Sequence, residues 1–301
     1  MTSIYIAYIG DWNPSPETYR RLVDRLNNQD QQRIARYRQP RDRLCFLVGR
    51  LLLFQHVRSQ GCTSDTPLQL VFTASGKPFL VEPIDQGWHT EFNISHDDDI
   101  IVLAATSVPK EASQSGIGID VMLLNRAPAD AEGLEEVLLD QLHPAELADF
   151  RATCQTSSDS RRLEYLIRLW TAKEAYTKAI GTGLGTEFRE LSIEGLSADT
   201  KASLLGSSSR TIAAHTRLSV HQSTRNPTLR SPAKAGFTIR HGHITVQSPA
   251  DHGEQNREQD SSDNNKRFAW SFVSACQAGN VPGTIEFGVV DPTDLETLGS
   301  V

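Results

Sequence analysis

Residues 161–185 read RRLEYLIRLWTAKEAYTKAIGTGLG. The stretch predicts one long helix that runs into a glycine-rich exit. At about 100° per residue, Leu163, Leu166, Ile167 and Trp170 share a face. On the same wheel Glu174 falls within roughly 20° of Leu163, inside the apolar stripe, and Lys178 follows one turn later. A carboxylate aimed into a core is costly unless it is paired or holds a metal. A Glu–Lys pair at i,i+4 stabilises a helix by only about 0.3 kcal/mol. Either this is an ordinary helix-surface pair or Glu174 has a further partner, and its place on the apolar face favours the second.

The obvious second acid is Asp120. It sits in GIGIDVM, residues 116–122, between Ile119 and Val121. Asp is unfavourable in such a strand unless it ends it. By alternation its side chain points with Gly118 and Met122. Were that face to meet Glu174, two carboxylates would converge, and they repel unless one is protonated or a cation lies between them. Hard oxygen ligands with few protein contacts suit Mg2+.

Outward from this pair, the chain mixes strands and helices. Ile4, Ile6 and Tyr8 alternate with Tyr5, Ala7 and Ile9 in a strand. Helices are expected near 17–28, 30–38 and 41–59. Strands at 67–72 and 79–81 flank a Ser75-Gly76-Lys77-Pro78 turn, and strands at 91–95 and 100–106 flank an acidic loop, His96–Asp99. The polar segment 107–115 is the expected boundary between subdomains 1–115 and 116–301. Helices follow near 130–142 and 144–154, and Ser157–Ser160 offers N-caps for the central helix. A strand is expected at 188–193. A low-complexity insertion occupies 196–267, interrupted by a hairpin turning at His241-Gly242. Its end, 253–267, has no aliphatic or aromatic residue and reads as disordered. Closing strands are expected at 268–276 and 284–290.

Composition sets bounds. A chain of 301 residues, 38% hydrophobic and 22% charged, can bury a sizeable core. No run is long enough to span a bilayer, and the first residues lack the basic region of a signal peptide. The four cysteines fit no zinc or redox spacing, so free thiols in a reducing cytoplasm are expected. The net charge of −7 argues against bulk nucleic-acid binding. Residues 33–50 nevertheless hold six arginines against Asp42 alone, either a solvated helix face or a seat for an anion. Gly181–Gly185 follows a helix and lacks the Lys-Ser/Thr of a P-loop, so it reads as a helix end. There is no Ser-His-Asp set.

Five ordered motifs resemble the 4′-phosphopantetheinyl transferase superfamily in its larger two-subdomain (surfactin-synthetase-activating, broad-range eukaryotic-like) branch. They are Arg41-Asp42 with Gly49-Arg50-Leu51-Leu52; Ser75–Pro78; Phe92-Asn93-Ile94-Ser95-His96; Gly118–Met122; and Trp170–Gly181. The resemblance implies an α+β fold of two similar, pseudo-symmetric α/β subdomains with the ligand site at their junction. It implies a Mg2+-dependent transfer of the phosphopantetheine arm of coenzyme A to a serine of an apo acyl or peptidyl carrier protein, with release of 3′,5′-ADP. The carrier would belong to a fatty-acid, polyketide, nonribosomal-peptide or lysine-pathway synthase. By position, Arg41 would hold the 3′-phosphate. Thr73, Ser75, Gly76, Lys77 and Pro78, with Asn93, Ser95 and His96, would line the nucleotide and phosphates. Asp120 and Glu174 would bind Mg2+, and Lys178 would contact the phosphates. The base would be Glu174 or a water on the metal, with Glu146 as an outside candidate. Many members carry a third acid where this chain has Met122, which cannot ligate a hard metal. The alternatives are a Mg2+-dependent nucleotide or pyrophosphate hydrolase and a non-catalytic scaffold binding coenzyme A or a carrier. A monomer is expected.

Overall fold

The computed structural model describes residues 2–61, 67–81, 88–109, 116–126, 133–155, 157–194, 202–204, 210–211, 217–223, 228–230, 237–247, 266–275 and 285–297. The strands are β1 (Thr2–Tyr8), β2 (Leu70–Phe72), β3 (Pro78–Val81), β4 (Trp88–Asp97), β5 (Ile100–Pro109), β6 (Ile117–Leu123), β7 (Ser192–Glu194), β8 (Ala202–Leu204), β9 (Arg210–Thr211), β10 (Arg217–Ser223), β11 (Thr228–Arg230), β12 (Phe237–Gln247), β13 (Lys266–Ala275) and β14 (Ile285–Val290). The helices are α1 (Pro16–Val23), α2 (Asn28–Arg36), α3 (Pro40–Ser59), α4 (Leu134–Asp140), α5 (Pro144–Cys154), α6 (Asp159–Ile180) and α7 (Pro292–Glu296).

The fold is α+β in two parts, as expected, stacked as helices, sheet, sheet, helices. The first sheet has the order β14-β1-β5-β4-β3-β2 and the second β6-β13-β12-β10-β8. Both faces of β1 and β5 are apolar, and each face has its own destination. Ala7, Ile101, Leu103 and Ala105 join Leu47, Val48, Leu51 and Leu52 of α3 in one core. Ile4, Ile6, Ile100, Val102 and Ala104 face the second sheet, meeting Ile117, Ile119, Val121, Phe268, Trp270 and Phe272. A third core lies under α4–α6, where Leu166, Leu169 and Tyr176 pack. Strands buried on both faces read as near-continuous apolar runs, which is how these residues appear in the sequence.

Several expectations are corrected. No hairpin turns at His241-Gly242. Both residues are paired within β12, with Ser271 and Trp270 of β13 on one side, while Gly242 and His243 pair with Gln222 and His221 of β10 on the other. Hydrogen bonding to two neighbours outweighs the turn preference of one His-Gly step. Residues 188–193 are not one strand: a 3-10 turn, Phe188–Glu190, precedes β7. That turn swings the Phe188 ring against Trp170 at 4.9 Å, edge to face. The acidic loop shrinks to a tight turn, because His96 and Asp97 remain paired in β4 and Asp98 takes a φ of 51°. Ser158 occupies the N-cap position of α6 without a capping bond from its side chain. Residues 253–265 lie outside the described residues, whereas Lys266 and Arg267 begin β13.

The two parts on either side of residue 115 are also joined by the end of the described chain. β14 pairs in parallel with β1, from Thr2 opposite Ile285 to Ala7 opposite Val290. Val290 and Leu295 enter the first core, and the Trp12 indole donates to Glu296 at 2.9 Å. The two-part chain is therefore laced, since its last described segment completes the first part.

Candidate active site

Helix α6 packs directly onto β6, and Gly118 is the reason it can. A Cβ at residue 118 would collide with the Ala175 carbonyl oxygen and lie 2.5 Å from the Ala179 nitrogen. With hydrogen there instead, α6 lies against the strand, and Thr171 and Ser271 share a buried hydroxyl contact of 3.2 Å. One residue pair further, Lys178 Nζ reaches Asp120 Oδ1 at 2.5 Å and Ser95 Oγ at 3.1 Å, while Ser95 Oγ donates to the same carboxylate oxygen at 2.7 Å. Asp120 is 6% exposed. Burial pushes its carboxyl up from the ordinary range, against the pull of Lys178, Ser95 and the Val121 amide.

Glu174 joins this cluster electrostatically. Burial raises its carboxyl; Lys178 opposes the shift and the charge of Asp120 adds to it. It is half-buried, not in the middle of the apolar face, because the deeply buried positions of α6 are Leu166, Leu169, Ala172, Ala175 and Tyr176. Lys178 is thus ion-paired with Asp120, and Glu174 adds the second carboxyl of a pair, within electrostatic reach of both. Among the described residues no three His, Cys, Asp or Glu side chains group as a complete metal cage. The pair fits a hard cation that keeps water and phosphate among its ligands. Met122 packs with the third core instead.

β6 is the edge of its sheet, so its outer backbone groups need partners. β4 supplies them with side chains. Gly116 N–H donates to Glu91 Oε2 at 3.0 Å, Ile119 N–H to Asn93 Oδ1 at 2.9 Å, and Leu123 N–H to Asp97 Oδ2 at 2.7 Å. Lys77 completes the row by donating to the Ile117 carbonyl at 2.6 Å and the Ala179 carbonyl at 3.0 Å. Burial lowers its ammonium to about 8, with Glu91 opposing. The Asn93 carbonyl and Lys77 ammonium are therefore engaged in joining the two parts.

The other expected contacts lie around this seam. Thr73 Oγ1 meets Ser75 Oγ at 2.9 Å and accepts from Lys77 N at 3.0 Å. Gly76 takes a φ of 81° that a turn before Pro78 requires. The same turn abuts the helix end, for a Cβ on Gly181 would lie 2.6 Å from Ser75 Oγ. His96 is exposed on β4 next to Ser95. Arg41 lies at the β4–β5 turn, donating through Nε to Asp99 at 2.6 Å and through Nη2 to the Ile9 carbonyl at 2.8 Å. Lys266 of β13 binds Asp99 too, at 2.7 Å. Asp99 and Lys266 were not singled out by the sequence; their separation of 167 residues hides the contact. Of the arginine run, Arg50 pairs with buried Asp30 and Arg43 donates to the Tyr37 carbonyl, while Arg33, Arg36 and Arg38 are exposed.

Glu146, the outside candidate for the base, is engaged in the fold. It is 2% exposed, pairs with Lys173 Nζ at 2.5 Å, and accepts from the amides of His143 at 2.9 Å and Ile193 at 2.8 Å. It holds α5 and β7 to α6. Of the cysteines, Cys45 and Cys154 are free and buried; Cys62 and Cys276 lie outside the described residues. No described helix is long and apolar enough to cross a membrane.

Comparison with known proteins divides the chain along the same seam. Residues 10–108 match the family profile described as "4′-phosphopantetheinyl transferase, N-terminal", and residues 116–230 match "4′-phosphopantetheinyl transferase superfamily". The chain is 31% identical over 193 residues to 4′-phosphopantetheinyl transferase pptA of Paxillus involutus, covering 62% of this chain and 71% of that protein. It is 30% identical over 181 residues to a phosphopantetheinyl transferase of Thraustochytrium sp., covering 59% and 60% respectively. It is 26% identical over 186 residues to the human L-aminoadipate-semialdehyde dehydrogenase-phosphopantetheinyl transferase, covering 62% and 58%.

Proposed function

The chain belongs to the 4′-phosphopantetheinyl transferase superfamily, and from that premise we propose that it moves the phosphopantetheine arm of coenzyme A onto a serine of an apo carrier protein. The observation that carries the reading is the Ser95–Asp120–Lys178 cluster with Glu174 beside it, at the seam between the two profile-matched parts. In the reaction the serine oxygen forms a bond to the pyrophosphate phosphorus that carries the pantetheine arm. The bond from that phosphorus to the bridging oxygen breaks, and 3′,5′-ADP departs. Such transfers ask for alignment and for positive charge where the leaving oxygens become negative.

The residues divide the work accordingly. Lys178 faces the cluster with an ammonium that compensates charge on the phosphates, and Ser95 donates a hydroxyl hydrogen bond. Asp120 and Glu174 are the hard-oxygen pair that would hold Mg2+, which when bound neutralises the pyrophosphate and polarises its oxygens. Glu174, or a water beside it, would take the serine proton. Arg41, already oriented by Asp99, supplies the cation for the 3′-phosphate. His96 and the Thr73–Pro78 turn line the nucleotide, with Lys77 and Asn93 framing that wall from behind. One similar protein's name couples the transferase to L-aminoadipate-semialdehyde dehydrogenase, which favours a lysine-pathway carrier among the substrates. The reading takes the enzyme as a monomer, since one chain already contributes both walls of the seam, and as cytoplasmic.

Intact-mass analysis of an apo carrier incubated with the protein, coenzyme A and Mg2+ tests it. The expected outcome is a gain of one phosphopantetheine unit. Release of 3′,5′-ADP without carrier would instead make the protein a hydrolase, and coenzyme A binding with no product would make it a scaffold.

A further inference from the structure

We propose that Asn93 is a positioning residue, the middle tooth of a polar comb on β4 that sets the register of β6 and thereby the place of Asp120. The proposal rests on the transfer reading for its catalytic consequence, though not for its structural content. Residues 91, 93, 95 and 97 share one face of β4 by strand alternation, and all four are polar. Three of them accept an amide hydrogen of the chain from Gly116 to Leu123, and the fourth, Ser95, donates to Asp120 itself. The comb thus replaces a strand neighbour that β6 lacks on its outer side. Ile119 and Leu123 are four residues apart on β6, as are Asn93 and Asp97 on β4, so these two teeth match the spacing of their amides, while Glu91 reaches Gly116 just before the strand begins.

Register matters here more than affinity. A slip of one residue along a strand turns every side chain to the opposite face. Asp120 would then point between the sheets, into the apolar layer of Ile119 and Val121, and leave Lys178 and Ser95 without their shared acceptor. Ser95 touches that carboxylate directly, but of the three teeth that fix the backbone Asn93 is the nearest to it, since it bonds the amide immediately before Asp120. This differs from a direct contact to the nucleotide, because the Asn93 oxygen is committed to Ile119.

Amide hydrogen exchange on the metal-free full chain tests the structural claim without reference to activity. Asn93→Ala is expected to raise exchange at Ile119 by about tenfold, the loss of one hydrogen bond, while β13 amides stay protected. Asn93→Asp keeps an oxygen acceptor and is expected to keep the protection; it also serves if the alanine variant does not fold. In the transfer assay Asn93→Ala should lower kcat and raise the Mg2+ concentration needed for half-maximal rate. The Kd for 3′,5′-ADP should stay within about twofold of the parent, since no nucleotide contact is lost. Unchanged exchange at Ile119 in the alanine variant overturns the comb. So does a weakened 3′,5′-ADP complex with exchange unchanged, which would make Asn93 a ligand contact. If the parent protein neither binds 3′,5′-ADP nor modifies a carrier, the transfer reading falls, and the exchange result still decides the comb on its own.

Discussion

Glu174 and Lys77 show how differently two half-buried charges can serve one seam. Glu174 carries a raised carboxyl beside a like charge, so it is held where folding alone would not choose it. Glu174→Gln is therefore expected to abolish most transfer, by about 100-fold or more. In metal-free protein the same change should leave the thermal midpoint unchanged or higher. A variant with full activity would remove Glu174 from both roles proposed for it. Lys77 titrates in the opposite sense. Its folded value of about 8 lies below the ordinary 10.5, so between those limits the unfolded chain holds a proton that the folded chain has released. Stability contributed through Lys77 must then rise with pH from about 8 to 10.5 and be flat below. Urea melts of the parent and Lys77→Met across that window should show the gap widening in favour of the parent. Asp120, Glu174 and Lys178 could be picked out from the sequence, because each breaks or follows an apolar period. The commitments of Asn93, Lys77 and Asp99 could not, since their partners are backbone groups or residues far along the chain.

At the scale of elements, α6 on β6 is the contact on which the site depends. Gly118→Ala puts a methyl group into the helix backbone, and helix backbone cannot yield as a side chain can. A loss of about 3 kcal/mol is expected, read from the denaturant midpoint, together with loss of transfer in whatever fraction still folds. The helix itself was readable from its 3.6-residue period and its Gly181 exit, which does adopt a left-handed φ of 75°. β4 and β5 were also readable, though shorter than they are. The His241-Gly242 step misled because dipeptide preference describes an isolated turn, whereas β12 is a central strand with partners on both sides. Phe188–Glu190 misled for a related reason: the Trp170 ring and the Lys173 bond to the Phe188 carbonyl, at 2.8 Å, govern that segment.

For the molecule as a whole, the two parts share an apolar layer, the polar comb and a strand that returns from the far end of the chain. They are expected to unfold together. Leu295→Ala, a deletion in the first core made from the last helix, should cost about 3 kcal/mol and shift a single transition seen by both parts. Two separate transitions, with only one displaced, would contradict this. The sequence suggests two mixed parts with a boundary in 107–115, yet nothing local in it says that residues 285–290 belong beside residues 2–7.

That last pairing carries a consequence for biogenesis. During synthesis β1 is made long before β14, and the edge of β1 that β14 covers stays open until more than 280 further residues have been translated. Throughout that interval the incomplete sheet offers hydrogen-bonding groups to any neighbouring polypeptide, so chaperone holding during synthesis should raise the yield of native protein more than chaperone added after release.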